Sequence, residues 1–187
     1  MADQITTNTN EFSIVLLAND ETADKVTRLR ELLPPSPVRV DPPHMTLLRG
    51  ISAPGDITDQ ELLEGMKPLV TPFLSEISKV YAKHVTTLDS RIYGPTAVVE
   101  LEIPSALREA RASLVTKLLD KHYSVLEVEQ NNYQPHITLA LSVPLPDNED
   151  HSEIMPPDSV IHFSGFALFR TRIRQQDGTR LVTVLRS

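Results

Sequence analysis

With 187 residues, 40% of them hydrophobic and 23% charged, the chain has the composition of an ordinary soluble globular protein, sized for one compact domain or two small lobes sharing an interface. Its net charge of -7 disfavours a long phosphate-tracking surface, and with it duplex DNA as a partner. The absence of cysteine removes disulfides, thiolate metal sites and a cysteine nucleophile together. Met1 to Asn10 is polar with no signal-peptide pattern, and no stretch is apolar and long enough for a membrane span, so no membrane partner is expected and a cytoplasmic location is the default.

Phe12 to Leu17 is short, apolar and β-branched, the pattern of a buried strand. Asn19 and Asp20 are placed to cap a helix carrying Val26, Leu29 and Leu33 on one face, and Pro34 ends it. After the turn Asp41-Pro42-Pro43, a strand runs from His44 to Leu48. Thr58 and Glu61 form a capping box for a helix that Gly65 and Pro68 are expected to interrupt, with a second helical piece from Leu69 to about Ile77. Two long strands, Lys79 to Leu88 and Ile92 to Ile103, are expected to turn at Asp89-Ser90. Pro104 and Ser105 open the clearest helix, Ala106 to His122, and a strand follows over residues 136–143. Pro144 to Pro157 is an acidic loop, long enough to be expected mobile. Strands Ile161 to Ile173 and Arg180 to Leu185 close the chain around Gln176-Asp177-Gly178, where Asp-Gly is a hairpin signal.

One phrase occurs twice. Pro43-His44-Met45-Thr46-Leu47 returns as Pro135-His136-Ile137-Thr138-Leu139, identical at four of five positions. Strand side chains alternate between faces, so each copy offers one imidazole and one hydroxyl to one side and an apolar pair to the other. Each half of the chain holds a leading strand or strand pair, a helix and a motif strand. The expected fold is therefore α+β: a bilobal, pseudo-two-fold duplication in one domain spanning 1–187, with two antiparallel sheets, helices on their outer faces and a central cleft between intertwined lobes.

The doubled Pro-His-hydrophobic-Thr-Leu resembles the 2H phosphoesterase superfamily, within it the 2'-5' RNA ligase and RNA 2',3'-cyclic phosphodiesterase group. The motif spacing, the opening strand and the closing strand pair resemble that layout over most of the chain. The resemblance implies a phosphodiesterase in which His44 and His136 are the catalytic acid and base, Thr46 and Thr138 bind phosphate, no cofactor or metal takes part, and the product is the 2'-phosphate. The same residues support that chemistry physically: hydrolysis of a cyclic phosphate needs a base for water, an acid for the leaving ribose oxygen and donors to the phosphoryl oxygens. Histidine titrates near neutrality and can serve either role. Symmetry alone does not assign the roles; a first assignment makes His44 the acid and His136 the base.

A lone strand histidine is more often structural than catalytic, and the repeat is what lifts this pair. His84, His122, His151 and His162 have no repeated context. Tyr133, Arg49, Arg170 and Arg172 are further candidates for contacting substrate, the last two on a common strand face. The expected partner is a small cyclic nucleotide or a short RNA bearing a cyclic phosphate end, taken by a monomer. The alternatives are a nucleotide-binding module without turnover, a hydrolase of 2'-5' oligoadenylate or cyclic oligonucleotide signals, a metallohydrolase, and a protein-interaction role for the acidic loop.

Overall fold

The protein is described by a computed structural model covering residues 11–36, 40–76, 80–90, 93–126, 133–146, 151–173 and 180–186. Strand β1 (Glu11–Ala18) leads into helix α1 (Asp20–Glu31), and β2 (His44–Ser52) into α2 (Asp59–Glu76). The hairpin β3 (Val80–Ser90) and β4 (Gly94–Glu102) precedes α3 (Ser105–Asp120), the short β5 (Ser124–Val125) and β6 (His136–Ala140). The chain closes with β7 (Val160–Ile161), β8 (Phe163–Ile173) and β9 (Arg180–Arg186). The sheet order is β7-β3-β4-β6-β2-β1-β8-β9, with β5 beside β2.

The class is the expected α+β, and the two antiparallel sheets expected are halves of one continuous sheet. Two four-stranded antiparallel halves, β7-β3-β4-β6 and β2-β1-β8-β9, meet where β2 and β6 touch through one pair, Met45 opposite Ile137. Beyond that pair the two motif strands part. Met45, Leu47, Ile137 and Leu139 turn to the helix-covered face, each no more than 4% exposed, within a core that also takes Val26 and Leu29 of α1, Met66 and Val70 of α2 and Leu107, Leu114 and Leu118 of α3. The opposite face is left for His44, Thr46, His136 and Thr138.

Parting strands leave backbone carbonyls without ladder partners, which burial makes costly. Arginines from the helices supply donors across the pseudo-two-fold. Arg30 of α1 donates to Thr138 O at 3.1 Å and to Val40 O at 2.6 Å, and its guanidinium also pairs with Asp41 at 2.6 Å. Arg111 of α3, 5% exposed, donates through Nε to Leu47 O at 2.9 Å. Each helix thus fastens the motif strand of the other half, which is how the halves interlock. Arg111→Met is expected to lower the unfolding free energy by about 1–2 kcal/mol, because it leaves the Leu47 carbonyl buried without that donor; a denaturant titration checks this, and an unchanged midpoint would remove Arg111 from the fold's fastening.

The local signals hold at the first two helix starts. Asn19 Oδ1 accepts from Thr22 N at 2.9 Å, and Thr58 and Glu61 form the reciprocal capping box, with bonds of 2.9 and 3.2 Å. Elsewhere the structure departs from expectation. Helix α2 runs unbroken through Gly65, Pro68 and Pro72. Both prolines and Glu64 lie on its exposed side, so the carbonyls whose helical bonds the prolines forfeit, at Glu64 and Pro68, face water, while Leu62, Met66, Leu69, Val70 and Phe73 hold the other side in the core. Strand β3 continues through Asp89 and Ser90, which pair with Pro95 and Gly94, so the turn falls later. Strand β6 ends at Ala140, with only an isolated bridge from Val143 to Thr96. Residues 151–157, expected as part of a mobile loop, fold as turns with His151 and Met155 buried. The acidic residues Asp147, Glu149 and Asp150 and the hairpin turn expected at Gln176-Asp177-Gly178 lie outside the described residues.

Candidate active site

The single Met45–Ile137 pair fixes the site's plan. In an antiparallel register His44 lies opposite Thr138 and Thr46 opposite His136, all four on the face away from the helices. Imidazoles and hydroxyls therefore alternate around four corners of one small patch. Each motif also orients its ring in the same way: His44 Nδ1 lies 2.7 Å from Pro42 O, and His136 Nδ1 lies 2.8 Å from Gln134 O. A carbonyl only accepts, so Nδ1 carries the proton in both rings and each Nε2 is the atom left to exchange one. In the neutral form Nε2 is a base; in the charged form it is an acid.

The surroundings of the two rings differ. His44 is 9% exposed, is cross-strand from Leu17 and meets the Phe169 ring edge-on at 4.5 Å. Burial pushes its imidazolium below the ordinary histidine value, and the positive charges of Arg30 and of His136 act the same way against the opposing bond to Pro42 O. His136 is half-buried, and its cross-strand neighbour on β4 is Glu100. Glu100 in turn bonds Lys83 Nζ at 2.9 Å and lies 3.1 Å from His84 Nε2.

The depressed His44 value has a consequence for stability. A group protonated more readily in the unfolded chain than in the fold takes stability away as pH falls below its unfolded value. The chain is expected to lose stability between about pH 6.5, the ordinary histidine value, and the lower value of folded His44, and His44→Gln is expected to lose less over that interval. Denaturant midpoints of both proteins at pH 7.5 and 5.5 check this; equal losses would contradict it.

The structure sorts the remaining candidates. A register slip between β1 and β2, where Val15 pairs with Thr46 but Ile14 with Leu48, buries Leu47 and Leu48 together and returns exposed Arg49 to the face of Thr46. Tyr133 is half-buried, donates its hydroxyl to Thr46 O at 3.0 Å and lies under the Arg111 guanidinium, 4.2 Å from its ring centre. It braces the first motif strand from behind. Arg170 lies away from the patch: it sits cross-strand from Phe12 on the helix-covered face, 6% exposed, bonded to Ile57 O at 3.3 Å and ion-paired with Asp59 at the start of α2. Alternation on β8 sends Phe169, not Arg170, to the cleft. The side chain of Arg172 lies outside the described residues. Phe169 and Glu100 went unread in the sequence, since their place beside the histidines is set by cross-strand register. A cavity of about 500 Å³ lined by Arg108, Arg111, Val115, Leu119 and Tyr133 opens on α3, and neither histidine lines it; the chemistry-bearing groups are on the open sheet face.

Among the described residues no three His, Asp or Glu side chains converge as metal ligands, and no helix is long and apolar enough to cross a membrane. Among solved structures, two share the fold and a third aligns at a lower score. One described as a phosphoesterase is 16% identical over 94% of this chain and 95% of its own, with a TM-score of 0.53. The apo form of E. coli LigT is 16% identical over 94% of each chain at 0.50, and TT0787 of Thermus thermophilus is 21% identical over 94% of each at 0.48. No curated protein matches. A family model, by contrast, matches residues 18–172, a span that takes in both motifs and all three helices. By that match the chain is a member of the 2'-5' RNA ligase superfamily.

Proposed function

We propose that the chain is a metal-independent phosphodiesterase that opens a 2',3'-cyclic phosphate, on a nucleotide or an RNA end, to a 2'-phosphate. The observation that supports this reading is the Met45–Ile137 pair, whose register sets the two His-x-Thr motifs side by side, with each histidine's Nδ1 tied to a backbone carbonyl two residues before it. A phosphoryl group seated there has an imidazole on each side. Neutral Nε2 takes a proton from water as the water oxygen bonds to phosphorus; the bond from phosphorus to O3' breaks, and the other imidazole's Nε2 proton passes to O3'. One water is added and no proton is left over. Thr46 and Thr138 donate to the non-bridging oxygens, and Arg49 adds positive charge at the end of the patch nearest Thr46. The same step with an RNA 5' hydroxyl attacking in place of water joins a 2'-5' linkage: its proton passes to the neutral Nε2 as O5' bonds to phosphorus, and the bond to O3' breaks with O3' protonated; in dilute solution water outcompetes it by mass action.

The test is turnover of the four nucleoside 2',3'-cyclic phosphates in excess chelator, with the product assigned by phosphorus NMR. Chelator-resistant formation of the 2'-phosphate is the expected result. Formation of the 3'-phosphate, or turnover abolished by chelator and restored by a divalent cation, would overturn the proposed chemistry. Binding without turnover of any of the four, or of a 2'-5' linked dinucleotide, would make the chain a nucleotide-binding module.

A further inference from the structure

The two halves surround their crossing arginines differently. Arg30 of α1, which reaches the second motif strand at Thr138 O, pairs with the carboxylate of Asp41, three residues before His44. Arg111 of α3, which reaches the first motif strand at Leu47 O, meets at the matching position, three residues before His136, the ring of Tyr133, 4.2 Å from its centre. Where one half builds a carboxylate of the chain into this place, the other builds an aromatic wall, and beside that wall lies the cavity of about 500 Å³ on α3. Cavities of about 300–1,000 Å³ are the size that takes small molecules. The two-histidine scheme makes no use of it.

The lining suits an anion with an apolar body. Arg108, Arg111, Ala112, Val115 and Leu119 recur at helical spacing along one side of α3. Arg108 is exposed and Arg111 only 5% exposed, so an anion in the cavity has one solvated cation and one buried cation, whose attraction the low dielectric strengthens. Stacking on Tyr133 engages the face of the Arg111 guanidinium, whereas carboxylate and phosphate are recognised along a guanidinium's edge. Buried Val115 and half-exposed Leu119 supply apolar surface for the rest of the molecule. We propose that this cavity is a second ligand site, taking a small organic anion whose phosphate or carboxylate pairs with Arg108 and Arg111 and whose apolar ring lies along Val115 and Leu119. The site bears on the first motif. Tyr133 donates to Thr46 O at 3.0 Å and Arg111 to Leu47 O at 2.9 Å, so two side chains that line the cavity hold consecutive carbonyls of β2. A ligand that shifts either side chain is felt at Thr46, and by linkage a ligand at the histidine patch changes affinity in the cavity by the same factor.

The experiment is an amide NMR titration of the full chain with phenyl phosphate, in wild type, in the His44→Gln/His136→Gln double variant, and in that double variant with Arg108→Gln, Ala112→Phe or Tyr133→Phe added. The amides of Ala112 and Leu119 are expected to shift saturably with and without the two histidines, and those of Thr46 and Leu47 to move at the same midpoint. Arg108→Gln is expected to weaken binding by about three- to tenfold. Ala112→Phe, which fills the cavity from an exposed position on the helix, is expected to abolish it; should that variant fail to fold, Arg108→Gln decides alone. Tyr133→Phe is expected to keep the α3 shifts and shrink that of Thr46. Benzoate run beside the probe sorts the two sources of charge: weaker binding than phenyl phosphate assigns the site to phosphate monoesters, tighter binding to carboxylates. Overturning results are no saturable shift on α3, a shift that disappears with the two histidines, which would place the probe in their patch, binding that Ala112→Phe or Arg108→Gln leaves intact, or inorganic phosphate binding as tightly as phenyl phosphate. No arm reads turnover, so the outcome is independent of whether the chain hydrolyses a cyclic phosphate.

Discussion

Replacing either His44 or His136 by alanine is expected to lower kcat/KM for a 2',3'-cyclic phosphate by about 10²–10⁴-fold. Each ring performs half of one proton relay, and neither half works without the other: water deprotonated without a protonated leaving oxygen, or the converse, stalls at the same barrier. The double variant is therefore expected to fall little further than the worse single one, because residues acting as a unit are far from additive. Thr46→Val and Thr138→Val remove donors and no proton, so they are expected to lower the rate while leaving the limbs of the pH profile in place. The His44 variant carries a second signature. Its ring fills a pocket against Phe169 and Leu17, so alanine there opens a small void, and loss of stability is expected beside loss of rate. Half-buried His136 is expected to lose rate alone. Steady-state kinetics on folded protein, with thermal midpoints measured in parallel, checks both; an alanine variant of either histidine within threefold of wild type would remove that ring from the chemistry.

Why these four residues stood out in the sequence, and their neighbours did not, follows from what a strand encodes. Alternation is a local property: His44 and Thr46 share a face whatever lies around them, and a second copy makes the same statement at His136 and Thr138. The doubled phrase therefore pointed to two like strands, and these lie side by side at Met45 and Ile137. Which of two faces a strand turns to the cleft is another matter, fixed only when it is paired. Alternation along β8 does not say which face Arg170 takes; pairing with β1 sets it beside Phe12 and turns it to α2. Glu100 is equally non-local: its place beside His136 depends on a β4–β6 register joining residues 36 apart in sequence. Helix α2 shows the complementary failure. Gly65 and Pro68 argue locally for a break, yet the burial of Leu62, Met66, Val70 and Phe73 along one side outweighs their intrinsic cost. The Asn19 cap, the Thr58–Glu61 capping box and the apolar stripe of α1 needed no such correction, because each is complete within four residues or one helical face.

Arg170→Met is expected to lower the unfolding free energy by about 2–3 kcal/mol and to leave kcat/KM of the folded protein unchanged. Arg170, 6% exposed, reaches from β8 to the start of α2, where its guanidinium donates to Ile57 O and pairs with Asp59. Methionine keeps much of the stem's apolar packing but leaves that carbonyl without its donor and the carboxylate without its cation. The cost is tempered because the Asp59 side chain is 32% exposed and lies at a helix N-terminus, which favours negative charge. Removing the other partner, by Asp59→Asn, leaves a deeply buried cation instead, and is expected to destabilise comparably although it deletes a more exposed group. The double variant Asp59→Asn/Arg170→Met is expected to be less destabilised than the two single losses added together, since neither charge then remains unpaired. Denaturant midpoints for the four proteins, with kinetics on each, separate this from a substrate role. A phosphate-binding Arg170 would raise KM in Arg170→Met without the stability loss; a strut between β8 and α2 shows the loss and spares the chemistry, because the cleft lies on the other side of the sheet.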